Sequence, residues 1–176
     1  MEVRQCTEII EVIKGCGINF LAIDFDLTLV SEHTGGRWRG TVAELAAKVR
    51  PLFKVLVPLA LERDICVAIV TFSPQVPTIS AVLQHEYPSL ASRITIRGED
   101  MSWEYLGGGS KDGKQRHMAS AAEELAESSG LTITRDSTLL IDDDANNIRI
   151  ALANKVRAIR FIPENEKRCV ELYAWL

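Results

Sequence analysis

The chain is poor in the residues that usually build small metal sites and disulfide frameworks. It has only three histidines in 176 residues. Its four cysteines, Cys6, Cys16, Cys66 and Cys169, are scattered without a Cys-x-x-Cys pair, which argues against a zinc site or a bridged scaffold. Cys16 and Cys66 are expected to sit reduced in a core, which favours an intracellular, cytoplasmic setting. No apolar run approaches the roughly 20 residues that span a bilayer, so no membrane partner is expected. The N-terminus carries Glu2, Arg4, Glu8 and Glu11, unlike a secretory leader. Positive charge is not in excess either: a net charge of -4 argues against a nucleic-acid surface. What remains is ordinary globular composition, 47% hydrophobic and 25% charged, long enough for a single domain over 1–176 with a substantial core.

Apolar spacing divides the chain into alternating elements. Val3, Cys6, Ile9, Ile10 and Ile13 predict a helix over 2–14, stopped at Gly15 and Gly17. Asn19 to Asp24 reads as a strand buried on both faces. Residues 31–40 have no periodicity and form a loop, after which Thr41 and Glu44 make a capping box. Pro51 interrupts that helix or opens another. Strands follow at Ile65 to Val70, Ile94 to Ile96, Thr138 to Ile141 and Val156 to Ile162. Helices are expected at Pro77 to Gln84, Lys114 to Ser128, Asn147 to Ala153 and, terminally, Glu164 to Trp175. Residues 98–113, with Gly107, Gly108 and Gly109, read as a second loop. Strands alternating with helices predict an α/β fold, a mostly parallel sheet of about five strands covered on both faces. Ligand sites in such sheets lie at the carboxyl ends of the strands, and three of these strands end in polar residues: Asp24, Thr71 and Asp142.

Asp24 and Asp26 flank Phe25. In an extended chain, residues two apart point to the same side, so both carboxylates are expected to line one cavity. Asp142-Asp143-Asp144 adds at least one acid from a separate strand. Crowding carboxylates is unfavourable unless a cation offsets their repulsion. Oxygen ligands without a histidine or cysteine cluster point to Mg²⁺, which also binds substrate phosphates.

These residues resemble the motifs of the haloacid-dehalogenase-like superfamily of phosphatases. Asp24-Phe25-Asp26-Leu27-Thr28 after an apolar strand resembles the first motif, and Thr71 after Ile69-Val70 the second. A lysine near a later helix start stands for the third, and Ile141-Asp142-Asp143-Asp144 resembles the fourth. The resemblance implies a three-layer α/β/α Rossmann-like fold and Mg²⁺-dependent phosphomonoester hydrolysis. In it, Asp24 is the nucleophile that becomes an aspartyl phosphate, and Asp26 the general acid and base. Thr28 shapes the turn and supports Asp26. Mg²⁺ is held by Asp24, the backbone carbonyl of Asp26, and Asp143 or Asp142; Asn147, four residues after Asp143, favours Asp143. Asp144 is assigned to helix capping. Lys114, preferred to Lys111, neutralises the nucleophile and the phosphate, while Thr71, with Ser73, binds a phosphoryl oxygen. His117 is expected to be a supporting or surface residue.

Forty-two residues lie between Thr28 and Thr71, and 42 between Thr71 and Lys114. Neither interval has room for a full cap domain beyond its covering elements, so the resemblance narrows to capless magnesium-dependent phosphatases. Substrate selection then falls to loops. Arg37 and Arg39 around Trp38 offer paired hydrogen bonds to an anion and a stacking surface. Trp103 and Tyr105 of the second loop either contact substrate or anchor the loop. The expected substrate is a phosphorylated small molecule, a nucleotide or a phosphoprotein. The rivals are a nucleic-acid end phosphatase, which would need a basic track, and a non-catalytic phosphoryl-binding or regulatory protein on the same fold.

Overall fold

The computed structural model describes residues 3–162. The helix expected over 164–175 lies outside them. Helix α1, Val3–Gly15, buries Cys6, Ile9, Ile10 and Ile13 on one stripe, the spacing of an amphipathic helix. Its exit runs through Gly17, whose φ of 79° lies in the left-handed region that glycine enters without steric penalty. Strand β1, Phe20–Ile23, is buried at every position.

After an irregular turn over Phe25–Leu29 and the loop 31–40, Thr41 caps the short helix α2, Val42–Ala46. The reciprocal box with Glu44 is present as expected, a device that contributes on the order of 1 kcal/mol. Pro51 opens a new helix rather than bending the old one: α3 spans Pro51–Glu62 with proline in its first turn, where the missing N–H costs nothing. Strand β2, Cys66–Val70, helix α4, Val76–Glu86, and strand β3, Ile94–Arg97, follow. Helix α5, Gln115–Ser129, strand β4, Thr138–Asp142, helix α6, Ala145–Ala153, and strand β5, Arg157–Arg160, complete the described chain.

The five strands form one parallel sheet in the order β3-β2-β1-β4-β5. Alternation of side chains across each strand feeds two cores. Leu21, Ile23, Val67, Ile69, Leu139 and Ile141 pack with the apolar faces of α1, α3 and α4. Phe20, Ala22, Ala68, Val70 and Leu140 pack on the other side with Met118, Ala121 and Leu125 of α5 and Ala151 of α6. This is a three-layer α/β/α arrangement. The intervals flanking Thr71 hold only loops and covering elements, so there is no full cap domain. No described helix is long and apolar enough to cross a membrane, and Cys6, Cys16 and Cys66 are all free thiols.

The strand order locates the site. From β1 the chain moves outward through β2 and β3, then returns to β4 on the opposite side of β1. Connections therefore diverge above β1 and β4, and a crevice opens at their carboxyl ends. Asp24 follows β1 directly, and Asp142 closes β4 with Asp143 next.

Candidate functional site

Three carboxylates converge in that crevice. One oxygen each from Asp24, Asp142 and Asp143 lies within 4.8 Å of the others. Asp24 and Asp142 are buried and Asp143 is half-buried. Burial pushes the Asp24 carboxyl up to about 7, opposed by the Lys114 charge and reinforced by Asp142 and Asp143. Asp142 and Asp143 are raised for the same first reason, burial, again opposed by Lys114. A donor set of three acids that resist ionising together is chemically suited to a hard divalent cation, which would favour the charged form of each. Asp24, Asp142 and Asp143 thus fit Mg²⁺.

Each acid is held by a different partner. Lys114, at the N-terminal boundary of α5, donates from Nζ to Asp24 Oδ1 at 2.9 Å. Its ammonium also lies 4.1 Å from the centroid of the Phe72 ring, a cation–π contact strengthened by poor solvent access. Lys111, by contrast, is exposed on a short turn. Asp142 has both oxygens engaged: Oδ1 accepts from the Asp144 N–H and Oδ2 from Asn147 Nδ2, each at 2.9 Å. Asp143 is tied to Thr28, whose Oγ1 receives the Asp143 N–H at 3.1 Å and approaches Asp143 Oδ1 at 3.3 Å. Asp144 caps α6 by accepting from the N–H groups of Asn146 and Asn147, as the sequence suggests.

Two of these pairings differ from expectation. Thr28 bridges to Asp143 instead of supporting Asp26, and Asn147 anchors Asp142 instead of marking Asp143. The Asn147 contact is local, from the first turn of α6 back to the end of β4, whereas the Thr28 contact depends on how β1 and β4 are offset. The sheet registers Ile23 against Ile141, which brings the β1 turn beside Asp143.

Asp26 also departs from the simple geometry. Its carboxylate is absent from the three-acid cluster. The chain does not stay extended after Asp24: it closes a turn in which the Leu29 N–H donates to the Asp24 carbonyl and Val30 to Phe25. Leu27 within it has φ 58°, a left-handed conformation that costs a non-glycine residue about 1 kcal/mol. That turn sends the Asp26 side chain to the loop 31–40. There it accepts from the Thr34 N–H at 3.1 Å and from Thr34 Oγ1 at 2.8 Å, with His33 Nδ1 3.4 Å away.

Gln75 completes this arm. Its Nε2 donates to Thr34 Oγ1, and its Oε1 accepts from the Trp38 N–H at 2.7 Å. Thr34 and Gln75 are absent from the sequence motifs, and no local pattern marks them, because the bridge joins two loops 41 positions apart. Thr71 is buried, and its Oγ1 accepts from the Ser73 N–H at 3.1 Å, while Ser73 Oγ faces the Gln75 N–H at 3.4 Å. Both hydroxyls lie in the turn after β2.

The loops divide their residues by role. Trp38 is half-buried: its indole donates to the Thr41 carbonyl and packs against the main core, while the residue also lines a surface cleft. Arg37 and Arg39 on either side are exposed. In the second loop, Trp103 donates to the Gly98 carbonyl, and Tyr105 accepts from the Gly109 N–H. Both rings, with Phe72, surround His117 at centroid distances of 5.0–5.2 Å. These aromatics anchor the loop. His117 is fully buried, and neither ring nitrogen has a hydrogen-bond partner among the described residues. Burial and the Lys114 charge lower its pKa to about 3; the Thr71 backbone opposes this without reaching hydrogen-bonding geometry. The imidazole is therefore neutral at ordinary pH, an interior residue and not the surface one the sequence allowed for.

No protein-family model matches this chain, and no curated protein matches it. Its fold is similar to that of an uncharacterized protein from Corynebacterium glutamicum, with 16% sequence identity and a TM-score of 0.48 over 89% of this chain and 96% of the other.

Proposed function

We propose that this protein is a capless phosphomonoesterase of the haloacid-dehalogenase-like superfamily, dependent on Mg²⁺ and acting through an aspartyl phosphate on Asp24. The observation that carries the reading is the convergence of Asp24, Asp142 and Asp143, with Lys114 2.9 Å from Asp24, at the crevice above β1 and β4. A receiver-type phosphoacceptor would share acids and a lysine, but would have no use for a second aspartate held two residues after the first.

Asp24, Asp142 and Asp143 would hold the cation, together with the Asp26 backbone carbonyl. When bound, Mg²⁺ supplies charge neutralisation for the nucleophile and the transferring phosphoryl group. Lys114 favours the charged form of the Asp24 carboxyl and orients it. An Asp24 oxygen attacks phosphorus as the ester P–O bond breaks, and Asp26 gives its proton to the departing oxygen. Asp26, now a carboxylate, takes a proton from water. The resulting hydroxide adds to phosphorus, the acyl–phosphate bond breaks, and inorganic phosphate and the Asp24 carboxylate are released. Thr71 and Ser73, in the turn after β2, would donate to phosphoryl oxygens, and Arg37 and Arg39 would meet the remainder of the substrate.

The direct test is hydrolysis of a broad phosphomonoester panel with Mg²⁺ by the wild-type protein and by Asp24→Asn. Release of phosphate by the wild type, abolished in Asp24→Asn, is expected. Turnover that persists in the variant overturns Asp24 as nucleophile.

A further inference from the structure

We infer that the leaving group of the substrate is itself anionic, and that Arg37, Arg39 and Lys48 receive its charge. This rests on the phosphatase reading and adds the substrate class to it. A general acid touches the oxygen that departs, so whatever is attached to that oxygen begins beside the Asp26 carboxylate. The residues holding that carboxylate are Thr34 and His33. The same two also line a shallow surface cleft of about 760 Å³, whose walls include Arg37, Arg39 and Lys48. The cleft therefore begins at the residues next to the Asp26 carboxylate, where the leaving group would emerge.

The charge of the cleft runs against that of the chain. Net charge is -4 overall, yet two arginines, a lysine and a histidine line this one depression. Its only lining carboxylate, Glu44, is spent on the capping box, accepting from both the N–H and the hydroxyl of Thr41. Lys48 has only a long 3.8 Å pairing with Glu32 at the exposed surface. The Arg37 and Arg39 side chains have no ion pair or hydrogen bond among the described residues. Their backbone is nonetheless anchored between them, by the Trp38 N–H on Gln75 and the indole on Thr41. Two exposed guanidinium groups on a fixed backbone, without an internal counter-charge, are pre-organised for carboxylate or phosphate.

The test uses two pairs of phosphoserine esters that differ in charge away from the phosphate. N-acetyl-O-phosphoserine is compared with its methylamide, and a phosphoserine peptide flanked by glutamates with one flanked by glutamines. The acidic member of at least one pair is expected to have a kcat/KM higher by about tenfold, the scale of one well-made charge-assisted contact. That ratio falls towards one in Arg37→Gln/Arg39→Gln, whose melting temperature checks that the fold is intact. A preference in the first pair assigns a small acid, and one confined to the second an acidic peptide; either supports the inference. Equal rates within both pairs, or a preference that survives in the double variant, overturn it.

Calorimetric binding of the two peptides to Asp24→Asn separates the two readings. An Arg37- and Arg39-dependent binding preference without any wild-type turnover supports the cleft as an anion site and sinks the hydrolase. Turnover without any charge preference in rate or binding does the reverse.

Discussion

The Lys114 ammonium and the Asp24 carboxylate form a buried ion pair, 2.9 Å apart, with Lys114 only 2% exposed. The pair joins the start of α5 to the end of β1, 90 positions apart in sequence. Lys114 is also the only protein cation hydrogen-bonded to a carboxylate of the three clustered acids among the described residues.

Removing that cation leaves three carboxylates within 4.8 Å of one another. Lys114→Met is expected to lose about 3 kcal/mol of stability in metal-free buffer at pH 8, because breaking a buried pair strands its partner. The deficit shrinks towards pH 5. Carboxyls raised by burial, as Asp24 and Asp142 are, bind protons in the folded state first, so falling pH stabilises it. Urea denaturation at the two pH values measures both effects; a deficit that grows in acid contradicts the assignment.

Mg²⁺ should raise the melting temperature of the wild-type protein and do so far less for Asp142→Asn or Asp143→Asn. A ligand at 100 times its Kd contributes about 2.7 kcal/mol to the folded state. Thr28→Val, which removes the hydroxyl beside Asp143, is expected to weaken the cation by about tenfold while leaving the metal-free melting point within a few degrees. Identical Mg²⁺ titrations for all four proteins would count against a site at these acids.

Thr34 and Gln75 are positioning residues for Asp26, and the leaving group reveals them. Thr34→Val and Gln75→Ala are expected to slow hydrolysis of an alkyl phosphate by about tenfold, a part of what a general acid contributes. A 4-nitrophenyl ester, whose departing oxygen needs little proton help, should slow much less. Equal losses on both esters would point to a general disturbance of the loop.

His117 supplies an acid-sensitive element. Its folded pKa, about 3, lies below that of an unfolded histidine, near 6.5. Its contribution to stability is intact above pH 6.5 and is lost as pH falls towards 3, because only the unfolded chain takes the proton. At pH 5 the cost is about 2 kcal/mol. His117→Phe should therefore lose less stability than wild type between pH 7 and pH 5, as measured by denaturant midpoints. Parallel profiles would show that the ring titrates normally.

The sequence already carried the elements and the acids. Buried runs such as Phe20–Ile23 and Cys66–Val70 are legible because a parallel strand covered on both faces must be apolar throughout. The Thr41–Glu44 cap and the Asp144 cap are local, so spacing alone finds them. Asp24, Asp142, Asp143 and Lys114 stood out as strand-end acids and a helix-start lysine, and the switch in strand order brings the four together.

Which side chain holds which acid was decided by the tertiary structure. Thr28 meets Asp143, Asn147 meets Asp142, and Asp26 leaves the cluster for Thr34, Gln75 and the 31–40 loop. The Thr28 and Asp26 pairings depend on the register of β1 against β4 and on the left-handed turn at Leu27, where one backbone rotation redirects a carboxylate. The Asn147 pairing depends on how α6 leaves β4. Residue types and short-range periodicity determine what the strands and helices are. Contacts across 41, 90 or 115 positions exist only once the sheet has set the distances between their ends.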